Sequence, residues 1–541
     1  GDVNGKIVSN SPSLPANTPV KNIQYQIELP IIANILGTLW VMEFGSILDG
    51  MLIDNCFANR VKSYIREKSQ HSISPFLFEP YFKKYESWRD GALNVVQQQL
   101  EAKKDVLLIS LDIKSYYYYA RIDFAELKKV LAGKVKKDQR ETCEILNKFI
   151  EDVYNRYYGL FSFDTASTKT DSANPDFPMI PIGFAPSMVI ANWYLDEFDR
   201  KIQSDLHPIY YGRYVDDFLL VLPHYRDKEF SEKVTDVIDT YFTSTKGFPH
   251  YDFFRTPQNA NNADGKTQNP TPNADSENGM TQQNEYFFAQ KKYQHLCVQM
   301  EKFKVYLFKH DEAQTIINKF RREIQHNSSE FRLLVGKDQM SEHIDDDIYK
   351  IDYSDTINKI RSINGIDIDK FMLSKTLSKL IYASIENSYK ERAHIFQTLV
   401  NAFSSGPGID LFTLWEKVLT LLFIHRRYDD IKKLICKLHE LSDTVSFERN
   451  ESEISFHLRN NEDESVLRNT LMQTLTGAIM RVFALRKDRD VTELESCVKQ
   501  IFLTGDMDDQ KLQFDANRRN FINSQMINSK ITRAPIQISF Q

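Results

Sequence analysis

The stretch Tyr214-Val215-Asp216-Asp217 constrains this chain more than any other, because two adjacent carboxylates interrupt two apolar runs. Ile209-Tyr210-Tyr211 precedes the box and Phe218-Leu219-Leu220-Val221-Leu222 follows it, which predicts a β-hairpin with the Asp-Asp pair at its bend. Ionised carboxylates on the lip of an apolar core are costly unless a cation or several donors compensate them. A divalent ion meets that need with the fewest groups. Far upstream, the apolar run Val106-Leu107-Leu108-Ile109-Ser110-Leu111 ends in Asp112 and offers a third carboxylate from a second strand. Three acidic groups on neighbouring strand ends suit two Mg²⁺ ions and an in-line phosphoryl transfer. The competing reading is a solvated turn, which is what an isolated Asp-Asp pair most often makes.

The company of the pair separates these readings. With Tyr214-Val215 before it, an apolar strand after it and Asp112-Ile113-Lys114-Ser115-Tyr116-Tyr117 upstream, the sequence resembles the catalytic core of reverse transcriptases, from about Asn55 to about His310. The resemblance implies a right-hand polymerase core of fingers and palm. It assigns the binding of two Mg²⁺ ions, with Mn²⁺ able to substitute, to Asp112 and Asp216. Asp217 is then the supporting carboxylate and the carbonyl of Ile113 a further metal contact. The aromatic five residues beyond the first aspartate, Tyr117, takes the place of the family's gate against the ribose 2′-hydroxyl and implies deoxynucleotide substrates. A packed aromatic in a Tyr-rich strand, Tyr116 to Tyr119, is the alternative for that residue.

Between the two boxes lies Pro181-Ile182-Gly183-Phe184-Ala185-Pro186-Ser187, followed by Met188, Ala191, Leu195 and Phe198 at helical spacing. Gly183 allows close backbone approach to a nucleotide, and Ser187 is a candidate N-cap. The segment is similar to the family's nucleotide- and template-positioning motif, which implies positioning roles for Pro186 and Ser187, joined by Tyr214. Many members carry glutamine where this chain has Ile182. Upstream, Cys56-Phe57-Ala58-Asn59-Arg60 matches a motif of the bacterial defence-related members. It makes Arg60 the candidate triphosphate ligand among the fingers cations Lys83, Lys84 and Arg89, since a guanidinium meets phosphate oxygens bidentately. Downstream, Val298 to Phe308 alternates like strands around a turn and carries Lys302, a candidate for charge stabilisation.

At 541 residues the chain can bury more than one core. Five cysteines, Cys56, Cys143, Cys297, Cys436 and Cys497, are odd in number and widely spaced, which argues against a disulfide framework or zinc site and for a reducing, cytoplasmic compartment. The apolar stretch Ile31 to Met42 is interrupted by Asn34 and reads as too short for a bilayer, and no signal peptide is evident before it, so no membrane partner is expected. With a net charge of −6, nucleic acid has to be held by local basic patches, for which Lys128-Lys129, Lys134-Lys136-Lys137 and Arg518-Arg519 are candidates.

The predicted class is α+β: a polar, Pro-rich and disordered segment 1–22, fingers and palm over 23–311, and an all-α domain over 312–541. The stretch 256–284 reads as a flexible insertion in the palm, and Ser167 to Asp176 is similarly polar. Leu373-Leu377-Leu380-Ile381, Phe396-Leu399-Val400-Phe403, Leu411-Leu414-Trp415-Val418-Leu422 and Leu471-Leu475-Ile479-Val482 each mark one apolar helical face, loosely like a HEAT array. Neither a ribonuclease H acidic cluster nor a second nuclease motif is present. A polymerase core joined to a helical half resembles the abortive-infection and defence-associated reverse transcriptases of bacteria, the AbiK-like unknown-group enzymes. That resemblance implies antiphage defence, dNTP substrates and homo-oligomers, trimeric or hexameric. DNA synthesis would be either untemplated and primed by a protein hydroxyl, or templated by a noncoding RNA. A conventional retron-type reverse transcriptase and a non-catalytic helical scaffold are the alternatives.

Overall fold

A computed structural model describes residue 20 and residues 23–163, 177–224, 234–243, 252–255, 285–310, 349–353, 363–385, 393–404, 408–447, 456–459, 462–484 and 536–539, without 63–64, 66–75 and 369. The polar stretches 1–19, 167–176 and 256–284, together with Cys497 and the pair Arg518-Arg519, lie outside the described residues. The chain divides into two compact units. One comprises residues 27–326 with 454–457, the other residues 1–26 with 327–453 and 458–541.

The first unit opens on α1 (Ile31–Trp40), which runs through a π-helical turn, Val41–Gly45, into α2 (Ser46–Met51). The helical span is therefore longer than the apolar run Ile31 to Met42 suggested. Its 21 residues are long and apolar enough to cross a membrane by length and composition, which corrects the argument from shortness. Trp40, Val41, Phe44 and Leu48 are each at most 1% exposed in the core, as expected of a core helix. There follow α3 (Tyr81–Glu101), β1 (Val106–Asp112), α4 (Tyr116–Tyr119), α5 (Phe124–Ala132), α6 (Arg140–Tyr158), α7 (Ala185–Tyr194), α8 (Asp196–Lys201), β2 (Tyr210–Tyr214), β3 (Asp217–Pro223) and β4 (Lys304–Phe308). The four strands form one antiparallel sheet in the order β2-β3-β1-β4.

Period-two alternation sends one set of strand side chains to each face. Leu107, Ile109 and Leu111 of β1 and Phe218, Leu220 and Leu222 of β3 pack in the main core with apolar side chains of α5, α6, α7 and α8. Val106, Leu108 and Val221 turn the other way, onto Ala92, Leu93, Val96 and Leu100 of α3. Each fully buried aliphatic side chain contributes about 1.5–3 kcal/mol. A one-residue slip of β1 would exchange these sets and drive Asp112 into the main core. Packing of the aliphatic residues thus fixes the register that sets Asp112 opposite Asp217.

The second unit contains a β-hairpin, β5 (Tyr349–Tyr353) with β6 (Ile363–Ile368), so the all-α expectation for 312–541 does not hold. The hairpin's strands, YKIDY and INGIDI, are short and the second is interrupted by Asn364-Gly365, so their sequence signal is weak beside the helical periodicity that follows. Among the described residues five α-helices follow: α9 (Lys370–Ile385), α10 (Ala393–Ser404), α11 (Trp415–Ile424), α12 (Tyr428–Thr444) and α13 (Asp463–Ala484). The expected apolar faces are inward: Leu373, Leu377, Phe396, Leu399, Trp415, Val418, Leu475 and Val482 are all buried. The N-terminal segment also joins this unit. The Val20 amide donates to Ser446 O at 2.9 Å, and Tyr25 Oη donates to the buried Asp463 carboxylate.

Candidate active site

Asp112 ends β1 and is 4% exposed; Asp217 opens β3 as its cross-strand partner. Asp216 stands in the two-residue turn between β2 and β3. The hairpin expected from the sequence is therefore present, with the Asp-Asp pair at its bend. Val215, the first turn residue, has φ 61°, a left-handed conformation that a β-branched side chain rarely adopts. The Ile113 amide donates to Asp216 O at 3.2 Å, and Ile113 bridges Val298, so turn and strand end are tied through the backbone.

The third side of the site is a 3₁₀ turn, Met300–Lys302, which places Lys302 Nζ 2.6 Å from Asp112 Oδ2. Burial works against the charge on Lys302, but the hydrogen bond to Asp112 and the surrounding carboxylates hold its pKa above the usual lysine range. The aspartates are shifted upward. Burial raises Asp112 against the pull of Lys302. Burial first, then repulsion from Asp112 and Asp217, pushes Asp216 up to about 8, and burial with Asp112 pushes Asp217 up to about 7. Such a set holds protons near neutrality unless a cation replaces them. The donor set fits a divalent ion: all-oxygen ligands, unfavourable as anions on their own, and an ammonium already standing at one of them. Among the described residues no three acidic, histidine or cysteine side chains are grouped closely enough to hold an ion as they stand. Lys302 and mutual repulsion of the carboxylates are what an ion would have to overcome. Asp112, Asp216 and Asp217 would hold Mg²⁺, which when bound polarises phosphoryl oxygens and lowers the pKa of an attacking hydroxyl.

The pH dependence follows with a definite sign. A carboxylate whose pKa is raised on folding binds its proton more tightly in the folded state, so stability falls as pH rises from the unfolded pKa through the folded one. For Asp216 and Asp217 the loss is complete only above about pH 8. Thermal melts without divalent ions should show a midpoint that drops between about pH 4 and 8 and levels off above that, a drop diminished in Asp216→Asn. Saturating Mg²⁺ should raise the midpoint more at the alkaline end. A flat profile in the wild-type chain would mean that the carboxylates are not coupled as described.

Tyr117 lies in α4, a single helical turn rather than the strand its tyrosine run suggested, because Ser115 takes φ 47° and reverses the chain just after β1. This turn separates the faces: Tyr116 and Tyr118 are buried, and Tyr117 packs half-buried against the core. Burial and the nearby Asp216 both raise the Tyr117 phenol, which places it at the carboxylate site. Its carbonyl accepts the Ile180 amide at 3.0 Å, which ties the gate candidate to the glycine motif. In that motif Gly183 is exposed with φ 95°, a conformation natural to glycine. Ser187 is not the N-cap: α7 begins at Ala185 with Phe184 in the cap position and Pro186 in its first turn, as suits a residue without an amide proton. Buried Ser187 instead receives a hydrogen bond from Tyr154 Oη at 3.1 Å. Tyr117→Ala should admit ribonucleotides by vacating the 2′ position, and unchanged sugar discrimination in competition assays would reject the gate.

Arg60 is corrected more sharply. It is 7% exposed; Nε donates to Asp49 Oδ1 at 3.0 Å, Nη1 to Ile53 O and Cys56 O, and Nη2 to Asp49 O. A buried arginine so committed holds the Asp49–Arg60 loop together and is not poised for a triphosphate. Of the other cations, Arg89 is buried against Asp90 at 2.8 Å, while Lys83 is exposed on the first turn of α3. Lys128 pairs with Glu151 at 2.8 Å, and Lys129, Lys134, Lys136 and Lys137 are exposed.

Sequence reasoning missed what lies around the hairpin. Tyr214 packs edge-on to Tyr85 (5.3 Å) and tilted to Trp88 (5.7 Å), and its hydroxyl donates to Tyr81 O at 3.1 Å. Gly212 makes this possible, since a Cβ there would lie 2.9 Å from the Trp88 ring. Beneath the hairpin Arg213, fully buried, meets Asp199, also fully buried. The signal was available: in β2 the alternation that turns Tyr211 inward also turns Arg213 inward, and a charge there requires a partner.

Comparison with family models and with curated proteins returns no match.

Proposed function

We propose that this chain is a DNA polymerase of reverse-transcriptase type, which joins dNTPs by phosphoryl transfer at Asp112, Asp216 and Asp217 with two Mg²⁺ ions. The observation that carries the proposal is the cross-strand pairing of Asp112 with Asp217 beside a turn bearing Asp216, fixed by the packing of a β2-β3-β1-β4 sheet. An aromatic gate candidate and a lysine on the same carboxylates supply the sugar and charge contacts that nucleotide transfer needs. A purely scaffolding protein gains nothing from carboxylates whose pKa values burial forces up. The setting in this proposal is antiphage defence in the bacterial cytoplasm, with the helical unit serving assembly and product handling. Synthesis is untemplated and protein-primed.

Purified chain incubated with each labelled dNTP and Mg²⁺, without template or primer, and run on a denaturing gel before and after protease, tests this. Label that migrates with protein until digestion is the expected result. Incorporation that requires an added or copurifying RNA template would replace the untemplated reading with a retron-type enzyme. No incorporation under either condition would reject polymerase activity.

A further inference from the structure

The guanidinium of Arg213 is completely used. Nε and Nη2 reach the two oxygens of Asp199 at 2.7 and 2.6 Å, Nη2 also donates to Asn192 O at 3.0 Å, and Nη1 donates to Asn192 Oδ1 at 3.1 Å and Val215 O at 2.8 Å. Five N–H groups thus meet five acceptors from α7, α8 and the hairpin turn. Asp199 is further fixed by the Tyr211 hydroxyl, and Asn192 by Ala58 O at 2.7 Å. The backbone of Arg213 is bracketed too, by Asn55 O and the Phe57 amide at 2.9 Å each. Of these contacts the one to Val215 O is distinctive, because Val215 is the residue held at φ 61° and it immediately precedes Asp216. A backbone held in a sparsely populated region persists only where surrounding bonds over-determine it.

We infer that Arg213 is a positioning residue for the carboxylate site: anchored on Asp199 and Asn192, its Nη1 holds the Val215 carbonyl and so keeps the left-handed turn that presents Asp216 beside Asp112. This rests on the polymerase reading for its purpose, but not for its measurement. A lysine at 213 retains a positive charge against Asp199, yet one ammonium cannot span Asp199, Asn192 and Val215 together. Glycine at 215 takes φ 61° without steric conflict and needs no such hold.

The test is Mn²⁺ binding to the full chain, read by the electron paramagnetic resonance of free Mn²⁺, beside urea unfolding of the same samples. Arg213→Lys should weaken Mn²⁺ binding about 10- to 100-fold, the range for lost outer contacts of metal ligands. Adding Val215→Gly should restore most of that affinity while leaving the urea midpoint of Arg213→Lys where it was. A purely structural role predicts no such rescue. Wild-type affinity in Arg213→Lys, or a double variant that binds no better than the single, overturns the inference. Should Arg213→Lys fail to fold, Asn192→Ala removes one Nη1 acceptor instead, and the same weakening and glycine rescue are required of it. A wild-type chain that binds no Mn²⁺ overturns the polymerase reading and this inference together, whereas binding unaffected by the variants overturns this inference alone.

Discussion

Asp216→Asn is expected to abolish nucleotide incorporation while leaving the protein folded. The substitution removes one charge with almost no change of shape, from a residue whose carboxylate is pressed by burial, Asp112 and Asp217. Bound cations stabilise several kcal/mol of developing charge on the transferring phosphoryl group, so loss of a shared ligand should lower incorporation on the order of 10³-fold. Stability should move the other way. Above about pH 8 the wild-type carboxylate is ionised against its neighbours, and an amide relieves that repulsion. The measurement is therefore paired: incorporation of labelled dNTP at saturating Mg²⁺, and the thermal midpoint of the same preparation without metal. Retained synthesis would remove Asp216 from the site. Lost synthesis with a collapsed midpoint would show a folding defect instead.

Asp199→Ala produces the largest loss of stability expected in the first unit. Asp199 and Arg213 are both fully buried, and burial works against the guanidinium charge, which Asp199 offsets. Removing the carboxylate leaves a desolvated cation, two guanidinium contacts unmade and the Tyr211 hydroxyl without its acceptor. Breaking a buried pair on one side costs about 3–5 kcal/mol. That is a large part of the 5–15 kcal/mol typical of folded domains. Urea denaturation followed by circular dichroism should show the midpoint of the first unit falling by this amount with the slope unchanged. A cost below about 1 kcal/mol would mean that hairpin and helices are held by apolar packing alone. The alanine is chosen over asparagine because an amide could still accept one hydrogen bond from Arg213.

The sequence by itself determined the parts that depend on local period. The run Val106 to Leu111, the hairpin flanking Asp216-Asp217 and the apolar faces of α9, α10, α11 and α13 were legible because continuous apolar runs of strand length and a repeat at about 3.6 residues survive without knowledge of partners. Once β1 and β3 pair as strands whose two faces pack into different cores, the register that sets Asp112 opposite Asp217 is nearly forced. Only the tertiary structure decided the rest, and in each case the reason is a partner distant in the chain. Arg60 reads as a phosphate ligand until Asp49 and two carbonyls are seen to use it. Ser187 reads as a cap until Tyr154 claims it. The tyrosine run Tyr116 to Tyr119 has the composition of a strand, and a left-handed Ser115 makes it a helical turn. Residue 20 reads as part of a polar tail and residue 25 as the start of the fingers, and hydrogen bonds to Ser446 and Asp463 bind them to the helical unit. Arg213 is the clearest case: alternation says that it points inward, but what a buried guanidinium does depends on which acceptors the fold brings within 3 Å, and no spacing in the sequence records that.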